Sequence, residues 1–420
     1  MENEKRTILI ASAMGTIPVI WIALMTAPFM EEGLVGMLSG LTESMGEPMK
    51  LTWCKDSLRA IIIFLLIYAM GIGIYLSTRR NYRRGEEHGS ASWGTQGELN
   101  RKYADKDYFN NKILTNSVRI SMNDRKHFRN LNTLVIGGSG SGKTRYFGKP
   151  NVMQANSSIF VLDPKSEILR STGHLLEAKG YEVKVIDLID MSKSDCYNPF
   201  VYLETDNDVQ RLVTNLFKAT TPKGAQTQDP FWDNAAQMLL HALIFYLRDK
   251  APEEEQNFAS VMELLGSAEI DEEFGDPSPL DTLFNDLNET EPNHIALKYY
   301  RAYRVGAAKT LKSIQITLAS RLEKFNLESL AKLTITDDLD LPSMGEKKTA
   351  LFAIIPDNDT SFNFLVSILY TQLFQQLFLC ADRKHGGVLP VPVHFIMDEF
   401  ANGATRSTPK TVGITDKSVA

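Results

Sequence analysis

Two long apolar runs dominate the hydrophobic pattern at the start of the chain. Residues 8–29 are essentially free of charge, and residues 58–76 are interrupted only by Arg59. Each run has about the 20 residues that a helix needs to cross the hydrocarbon core of a bilayer. Proline and glycine inside these runs are compatible with spanning, because helices in lipid tolerate them. The pattern predicts a transmembrane hairpin within residues 1–84.

The charges that flank these runs predict their orientation. Lys5 and Arg6 precede the first run, and four arginines follow the second, at Arg79, Arg80, Arg83 and Arg84. The positive-inside rule therefore places both termini in the cytoplasm and predicts a multi-pass protein of the cytoplasmic (inner) membrane. A cleaved signal peptide is the alternative for the first run, although this run is longer than a typical signal core.

Short apolar runs then alternate with segments of helical period. The runs that predict strands lie at residues 132–136, 158–162, 183–186, 349–355 and 391–397. Helices are expected after Lys143, with an end at Pro150, and over residues 166–178 and 362–379. Such alternation is typical of a parallel sheet with helices on both faces. The predicted fold class is therefore α/β.

The residues between the two strand-rich parts have helical period and acidic, proline-containing joints, which predict an all-α insertion. The predicted domains after the hairpin are a connector at 85–130, a sheet domain made of 131–205 and 339–402, the helical insertion at 206–338, and a polar tail at 403–420.

A phosphate-binding loop is the strongest chemical signal. The sequence GGSGSGKT at residues 137–144 fits the pattern G-x-x-x-x-G-K-[ST] and follows a strand-like apolar run. Its glycines let backbone N–H groups turn inward around phosphate oxygens at a helix start. Lys143 is expected to reach the β- and γ-phosphates, and Thr144 to ligate Mg²⁺. The alternative, a glycine–serine linker, does not explain the preceding apolar run. The predicted nucleotide-binding residues are Gly137, Gly138, Ser139, Gly140, Ser141, Gly142, Lys143 and Thr144.

Two carboxylates supply the second half of this site. Asp398 and Glu399 follow the apolar strand at 391–397. In phosphate-loop enzymes, a carboxylate at such a strand end holds the Mg²⁺ that the loop hydroxyl also ligates. We assign this role to Asp398, and we assign Glu399 as the general base that activates water. An apolar strand followed by Asp-Glu is weak evidence alone, but the upstream loop strengthens it.

Composition limits the remaining chemistry. The net charge of −6 argues against a protein that coats nucleic acid over its whole surface. The three cysteines show neither a disulfide framework nor metal-ligand spacing. A basic stretch at 298–324 suits either contact with a phosphate backbone or a solvated helix face. The pair Phe231-Trp232 suits packing in a core or subunit interface better than base stacking.

These motifs in this order resemble the type IV coupling proteins of conjugation, of the TraG/TraD kind. The segments that carry the resemblance are the two apolar runs and residues 89–93 (GSASW), 137–144, 163–165 (DPK), 229–232 (DPFW) and 398–402 (DEFAN). The resemblance implies a RecA-like sheet domain with an all-α insertion. It further implies an ATP- and Mg²⁺-dependent hexamer that pumps single-stranded DNA, receives it from a relaxase-bound complex (relaxosome), and delivers it to a type IV secretion channel.

The chain departs from this family after Asn402. Members continue with a further strand that carries a polar sensor residue and with an arginine that acts in the neighbouring subunit, whereas residues 403–420 are polar and show no strand or helix period. We therefore expect a shortened chain. Two alternatives stay open at this point. One is a membrane adaptor that binds but does not hydrolyse nucleotide, and the other is a different DNA- or protein-translocating ATPase of the same superfamily.

Overall fold

The computed structural model describes residues 2–48, 50–78, 93–221, 230–268, 277–356 and 359–398. The chain forms two compact units, Met1–Trp93 and Gly94–Ala420. The arginines predicted to orient the hairpin, at positions 79, 80, 83 and 84, lie outside the described residues, as do residues 89–92 and 403–420. The finer domain boundaries predicted from the sequence stay predictions.

The first unit is a helical hairpin. It contains α1 (Glu2–Thr26), a 3₁₀ turn (Ala27–Glu32), α2 (Gly33–Ser44) and α3 (Ser57–Thr78). Two stretches of it, Ile10–Glu32 and Ser57–Tyr75, are long and apolar enough to cross a membrane. They coincide with the two predicted runs and are candidate spans.

Small residues let the two candidate spans approach closely. The Tyr68 hydroxyl of α3 donates a hydrogen bond to the Ser12 carbonyl of α1 over 3.1 Å. A Cβ atom at Gly15 would lie 2.0 Å from that hydroxyl oxygen, so a larger side chain would displace the Tyr68 side chain from this contact. Ala23 and Ala60 are fully buried in the same unit. Close backbone approach at small residues is the usual way in which helices pack in lipid.

The second unit is built on a parallel sheet, which confirms the predicted α/β class. Its strands are β3 (Ser158–Asp163), β4 (Glu182–Asp187), β5 (Thr349–Ile354) and β6 (Val393–Met397), in the spatial order β4-β5-β3-β6. A separate antiparallel pair precedes it, β1 (Asn111–Ile113) and β2 (Arg119–Ser121), after the short helix α4 (Gln96–Tyr103).

Helices cover both faces of this sheet, as expected for a RecA-like domain. Every residue of β3 and β5 is buried, which explains why these strands are continuous apolar runs in the sequence. Neighbouring residues point to opposite faces, so that Phe352 packs in a cluster with α5 (Lys149–Gln154) and α6 (Glu167–Ala178), whereas Leu351 joins the larger core on the other face.

The larger core joins the sheet to the helical insertion. All regular structure in the described part of residues 206–333 is helical, which agrees with the sequence-based expectation. The helices are α7 (Asp206–Thr220), α8 (Pro230–Lys250), α9 (Phe258–Gly266), α10 (Pro279–Thr290), α11 (Ile295–Arg304), α12 (Ala308–Leu322) and α13 (Glu328–Leu333). Phe160 of β3 and Leu318 of α12 belong to one buried cluster. The helix α14 (Asn363–Lys384) lies in the same core, and although it is long and apolar enough to span a membrane, most of its length is buried there.

One predicted strand is absent. Residues 132–136 form no ladder with any described residue, and Leu134 and Ile136 are 80% and 86% exposed. The strand β6 is at an edge of the sheet and pairs only with β3 within the described chain. An apolar run becomes a strand only where another backbone supplies hydrogen bonds, so the pattern alone was insufficient.

A buried aspartate fixes the start of α6 beside the end of β3. Asp163 is 1% exposed, and its carboxylate accepts hydrogen bonds from the backbone N–H groups of Glu167, Ile168 and Leu169 at 3.0, 2.9 and 2.9 Å. Burial raises the pKa of Asp163, while these N–H donors oppose the rise. The sequence pattern predicted Asp163-Pro164 as a strand end, but the capping role of Asp163 was not predicted.

The basic stretch at 298–324 is largely occupied by internal contacts. Arg304 pairs with Asp281 at 3.0 Å, and the Lys324 ammonium donates to the Ser361 carbonyl at 2.7 Å. Arg321 donates to both carboxylate oxygens of Asp233, at 2.8 and 2.9 Å, and to the Thr220 carbonyl at 3.0 Å. These contacts favour the structural interpretation for most of the stretch.

We predict that Arg321→Gln destabilises the second unit by about 3 kcal/mol, because it leaves the poorly exposed Asp233 carboxylate without its partner. The midpoint of chemical unfolding of the detergent-solubilised chain measures this change. The matched control is Lys332→Gln, which breaks an exposed pair with Glu328 and should cost less than about 0.5 kcal/mol. Equal effects of the two substitutions would contradict the structural interpretation.

Candidate nucleotide-binding site

The loop at residues 137–142 has a backbone that requires glycine at two positions. Gly140 and Gly142 have φ values of +74° and +83°, in the region that other residues rarely adopt. A Cβ atom at Gly142 would lie 2.4 Å from the Tyr146 ring. A Cβ atom at Gly137 would lie 2.4 Å from the Ser141 hydroxyl oxygen. The loop is therefore a tight turn in which Gly140 and Gly142 are required by their backbone angles, and Gly137 and Gly142 by close side-chain contacts.

Lys143 reaches back across the loop. Its ammonium donates to the carbonyls of Gly137 and Gly138 at 3.1 and 3.2 Å. The positive charge thus lies within hydrogen-bond distance of the backbone of the glycine turn. This position is suited to an anion held by the loop backbone and the following helix start.

The helix after the loop does not end at Pro150, and that prediction was wrong. A π-helical turn (Thr144–Gly148) leads directly into α5, which ends at Gln154. The Lys149 N–H donates a hydrogen bond to the Thr144 carbonyl and completes the π-helical turn. Pro150 therefore lies in the first turn of α5. A first-turn N–H has no partner within the helix, so a proline costs little there.

The structure brings Thr144 and Asp398 together from 254 residues apart in the chain. The Thr144 hydroxyl donates to Asp398 Oδ2 over 2.5 Å. Asp398 directly follows β6, and its N–H bonds to the Leu162 carbonyl of β3 at 3.3 Å. The carboxylate is therefore held at the carboxyl edge of the sheet, where the loop also lies.

These two groups fit a magnesium ion in chemistry and in spacing. A hydroxyl and a carboxylate are oxygen donors, which Mg²⁺ prefers. Adjacent oxygens around an octahedral Mg²⁺ are about 2.9 Å apart, so the pair needs to open only slightly to share one ion. Glu399, the predicted general base, lies outside the described residues. The roles of Lys143, Thr144, Asp398 and Glu399 stay predictions.

Of the two positions expected for the aromatic pair Phe231-Trp232, a core or a subunit interface, the structure does not show burial in the core. Phe231 and Trp232 are 48% and 38% exposed, and their rings meet edge to face with centroids 5.1 Å apart. The pair stands in the first turn of α8 and is only partly covered within one chain. Packing at a subunit interface stays a prediction for it, and Asp229, which precedes it in the motif, lies outside the described residues.

Several solved structures resemble this chain weakly. One is the bacterial conjugative coupling protein TrwBdeltaN70, in an unbound monoclinic form, which is 15% identical. The match covers 77% of this chain and 68% of the TrwBdeltaN70 chain, with a TM-score of 0.48. The plasmid coupling protein TrwB in complex with the ATP analogue ADPNP is 15% identical over 74% of this chain and 65% of its own, also with a TM-score of 0.48. TrwB in complex with ADP and Mg²⁺ is 13% identical over 60% of this chain and 59% of its own, with a TM-score of 0.32.

The chain thus spans about two thirds or less of the length of these proteins, and such low identities and TM-scores carry no inference about function. No curated protein sequence matches this chain significantly.

A sequence family also matches this chain, over about the same share of its length. The family model described as "Type IV secretory system Conjugative DNA transfer" matches residues 92–415, which include the phosphate loop, Asp163, the Phe231-Trp232 pair and Asp398. The match covers well over half of the sequence and agrees with the resemblance that the motifs carry. The chain belongs to the family of type IV secretory system proteins for conjugative DNA transfer.

Proposed function

We propose that this chain is a membrane-anchored ATPase subunit that moves single-stranded DNA into a type IV secretion channel. The observation that carries the proposal is the 2.5 Å contact between Thr144 and Asp398, beside a glycine turn crossed by Lys143. A phosphate-binding turn and a carboxylate on the neighbouring strand end form the minimum site for a triphosphate with its metal. Membership of the conjugative DNA transfer family supports DNA as the cargo.

Each residue of the candidate nucleotide site has a separate role in this proposal. The loop backbone at 137–142 binds the phosphates, and Lys143 neutralises the β- and γ-phosphate oxygens. Thr144 and Asp398 would hold Mg²⁺, which would supply positive charge against the phosphate oxygens. Glu399 accepts the proton of the attacking water. Asp163 caps α6 at the same edge of the sheet.

Other residues support the proposed binding of DNA and the proposed anchoring in a membrane. Lys298 and Lys309 are exposed on α11 and α12, unlike the arginines of the same stretch that pair internally, and they suit contact with a phosphate backbone. The stretches Ile10–Glu32 and Ser57–Tyr75 suit the membrane anchor. We further propose a homo-hexameric ring, with Phe231 and Trp232 at the subunit contact, that receives the relaxase-bound strand at the cytoplasmic face.

We expect Lys143→Ala to lower DNA-stimulated phosphate release by about 100-fold or more, because it removes the charge that stabilises the phosphates during transfer. Membrane insertion should be unchanged. Phosphate release by the purified chain in detergent, with and without single-stranded DNA, measures the effect. The control is Lys193→Ala, an exposed lysine paired with Asp190 in a turn after β4, which should retain full activity. Full activity of Lys143→Ala would overturn the site assignment.

Glu399→Gln separates binding from hydrolysis. It keeps the size and shape of the side chain but removes the base, so nucleotide affinity should persist while turnover falls about 10²- to 10⁴-fold. Binding of a fluorescent nucleotide and phosphate release are measured on the same sample. Glu177→Gln, on the exposed end of α6, is the matched control. If the wild-type chain binds nucleotide but releases no phosphate with or without DNA, the adaptor alternative is correct.

Crosslinking in mating cells tests the cargo. In a donor strain that carries the element encoding this chain, the transferred strand should be recovered with the chain after crosslinking, and only when the relaxase is active. A chromosome-partitioning motor would recover chromosomal DNA, and a protein-secretion motor would recover none. Either result would contradict the proposed cargo while leaving the nucleotide site intact.

A further inference from the structure

Three side chains with metal-binding chemistry converge far from the candidate nucleotide site. One ligand atom each of Glu346, Cys380 and His385 lies within 4.8 Å of the other two. Glu346 precedes β5, and the Val391 N–H just before β6 bonds to the neighbouring Gly345 carbonyl at 3.0 Å. The cluster therefore lies at the amino edge of the parallel sheet, opposite the carboxyl edge that holds Asp398.

The fold holds each of the three residues in a defined position. Glu346 ends the 3₁₀ turn Leu341–Gly345, where its N–H bonds to the Ser343 carbonyl at 2.9 Å. Gly345 is confined, since a Cβ atom there would lie 2.6 Å from a methyl carbon of Leu389. The turn that presents the Glu346 carboxylate is therefore anchored to the core.

The other two residues come from the end of α14. Cys380 is 4% exposed and faces the core from the last turns of the helix. His385 directly follows the helix, with its N–H bonded to the Ala381 carbonyl at 3.1 Å. Gly386 and Gly387 then adopt positive φ values, and the Gly387 N–H bonds to the same carbonyl at 2.9 Å. This helix end, with glycines at positive φ, holds the backbone of His385 in place.

The chemistry of the donor set is that of a zinc site. Cysteine sulfur, histidine nitrogen and glutamate oxygen are all established Zn²⁺ ligands, whereas Mg²⁺ and Ca²⁺ require oxygens. His385 Nε2 lies 3.1 Å from Glu346 Oε1. Nitrogen and oxygen ligands of a tetrahedral Zn²⁺, bound at 2.0–2.1 Å, are separated by about 3.3 Å. Two of the three ligands therefore already have close to the required spacing.

One cationic side chain already lies beside the cluster. The Lys384 ammonium, 3.3 Å from Glu346 Oε1, competes for that oxygen. Its side chain is 58% exposed and can turn to solvent.

We propose that Glu346, Cys380 and His385 bind a Zn²⁺-class ion that ties the end of α14 to the turn before β5. A water molecule completes the four-coordinate shell from the solvent side, where Glu346 is exposed. The cysteine–histidine–glutamate combination sets this site apart from the oxygen-only site at the phosphate loop. The inference is independent of the proposed motor function.

Cobalt substitution of the full chain in detergent tests the proposal. Co²⁺ added to the metal-free wild-type chain should produce a near-ultraviolet charge-transfer band from a thiolate ligand, and Zn²⁺ should abolish that band at one equivalent. Cys380→Ser should lose the band, whereas Cys196→Ser, at a half-buried cysteine elsewhere in the same unit, should keep it. Co²⁺ at the phosphate loop gives no such band, because that site has no sulfur.

Glu346→Gln gives a second readout that does not disturb a buried residue. It should keep the thiolate band at saturating Co²⁺ but weaken the affinity at least 10-fold, since even an outer-shell partner is worth about 10- to 100-fold. The proposal is overturned if the wild-type chain gives no thiolate band, if the band survives in Cys380→Ser, or if Glu346→Gln binds Co²⁺ as tightly as the wild type. In those cases, the three residues are an ordinary ion-pair cluster beside a core cysteine.

Discussion

The hydrogen bond between Thr144 and Asp398 joins the two halves of the candidate nucleotide site, and the parallel sheet makes it possible. The loop and the aspartate come from chain segments separated by the whole helical insertion. They meet because β6 runs parallel to β3, so that Asp398 emerges at the same edge as Asp163. The parallel sheet thus brings residues that are distant in the sequence to one edge, where the carboxyl ends of its strands carry the polar groups.

The position of the insertion follows from the same constraint. The residues after β4 leave the sheet, form α7 to α13, and return at β5, which pairs with both β3 and β4. The shared hydrophobic cluster means that the helices are packed on the sheet rather than tethered beside it. The strand that carries Asp163 and the strand that precedes Asp398 therefore share one hydrophobic core with the helical insertion.

The sequence predicted most reliably what local backbone chemistry encodes. The glycine turn, the lysine and threonine that follow it, and the carboxylate after an apolar strand are each visible within a few residues. The predicted strand at residues 132–136 is absent because a strand requires hydrogen bonds from a partner backbone, and the hydrophobic pattern does not show whether a partner is present. The prediction that the helix ends at Pro150 was wrong for a related reason, since the energetic cost of a proline depends on its position in a helix.

Apart from the meeting of Thr144 and Asp398, the tertiary contacts were not predicted from the sequence. The basic stretch gave no sign that Arg321 is paired with Asp233, because the partner lies on another helix. Likewise, Glu346 and Cys380 have no recognisable metal-ligand spacing and meet only when α14 packs beneath the turn before β5. The capping role of Asp163 could have been proposed from Asp-Pro followed by a helical segment, which is a local signal.

The most direct test of the central claim is a structure of the full chain with a non-hydrolysable nucleoside triphosphate and Mg²⁺. The account predicts one ion at about 2.1 Å from the Thr144 hydroxyl, with the Asp398 carboxylate bound to it directly or through one water molecule, and the triphosphate under Lys143. A triphosphate bound elsewhere, or an ion that touches neither Thr144 nor Asp398, would contradict it.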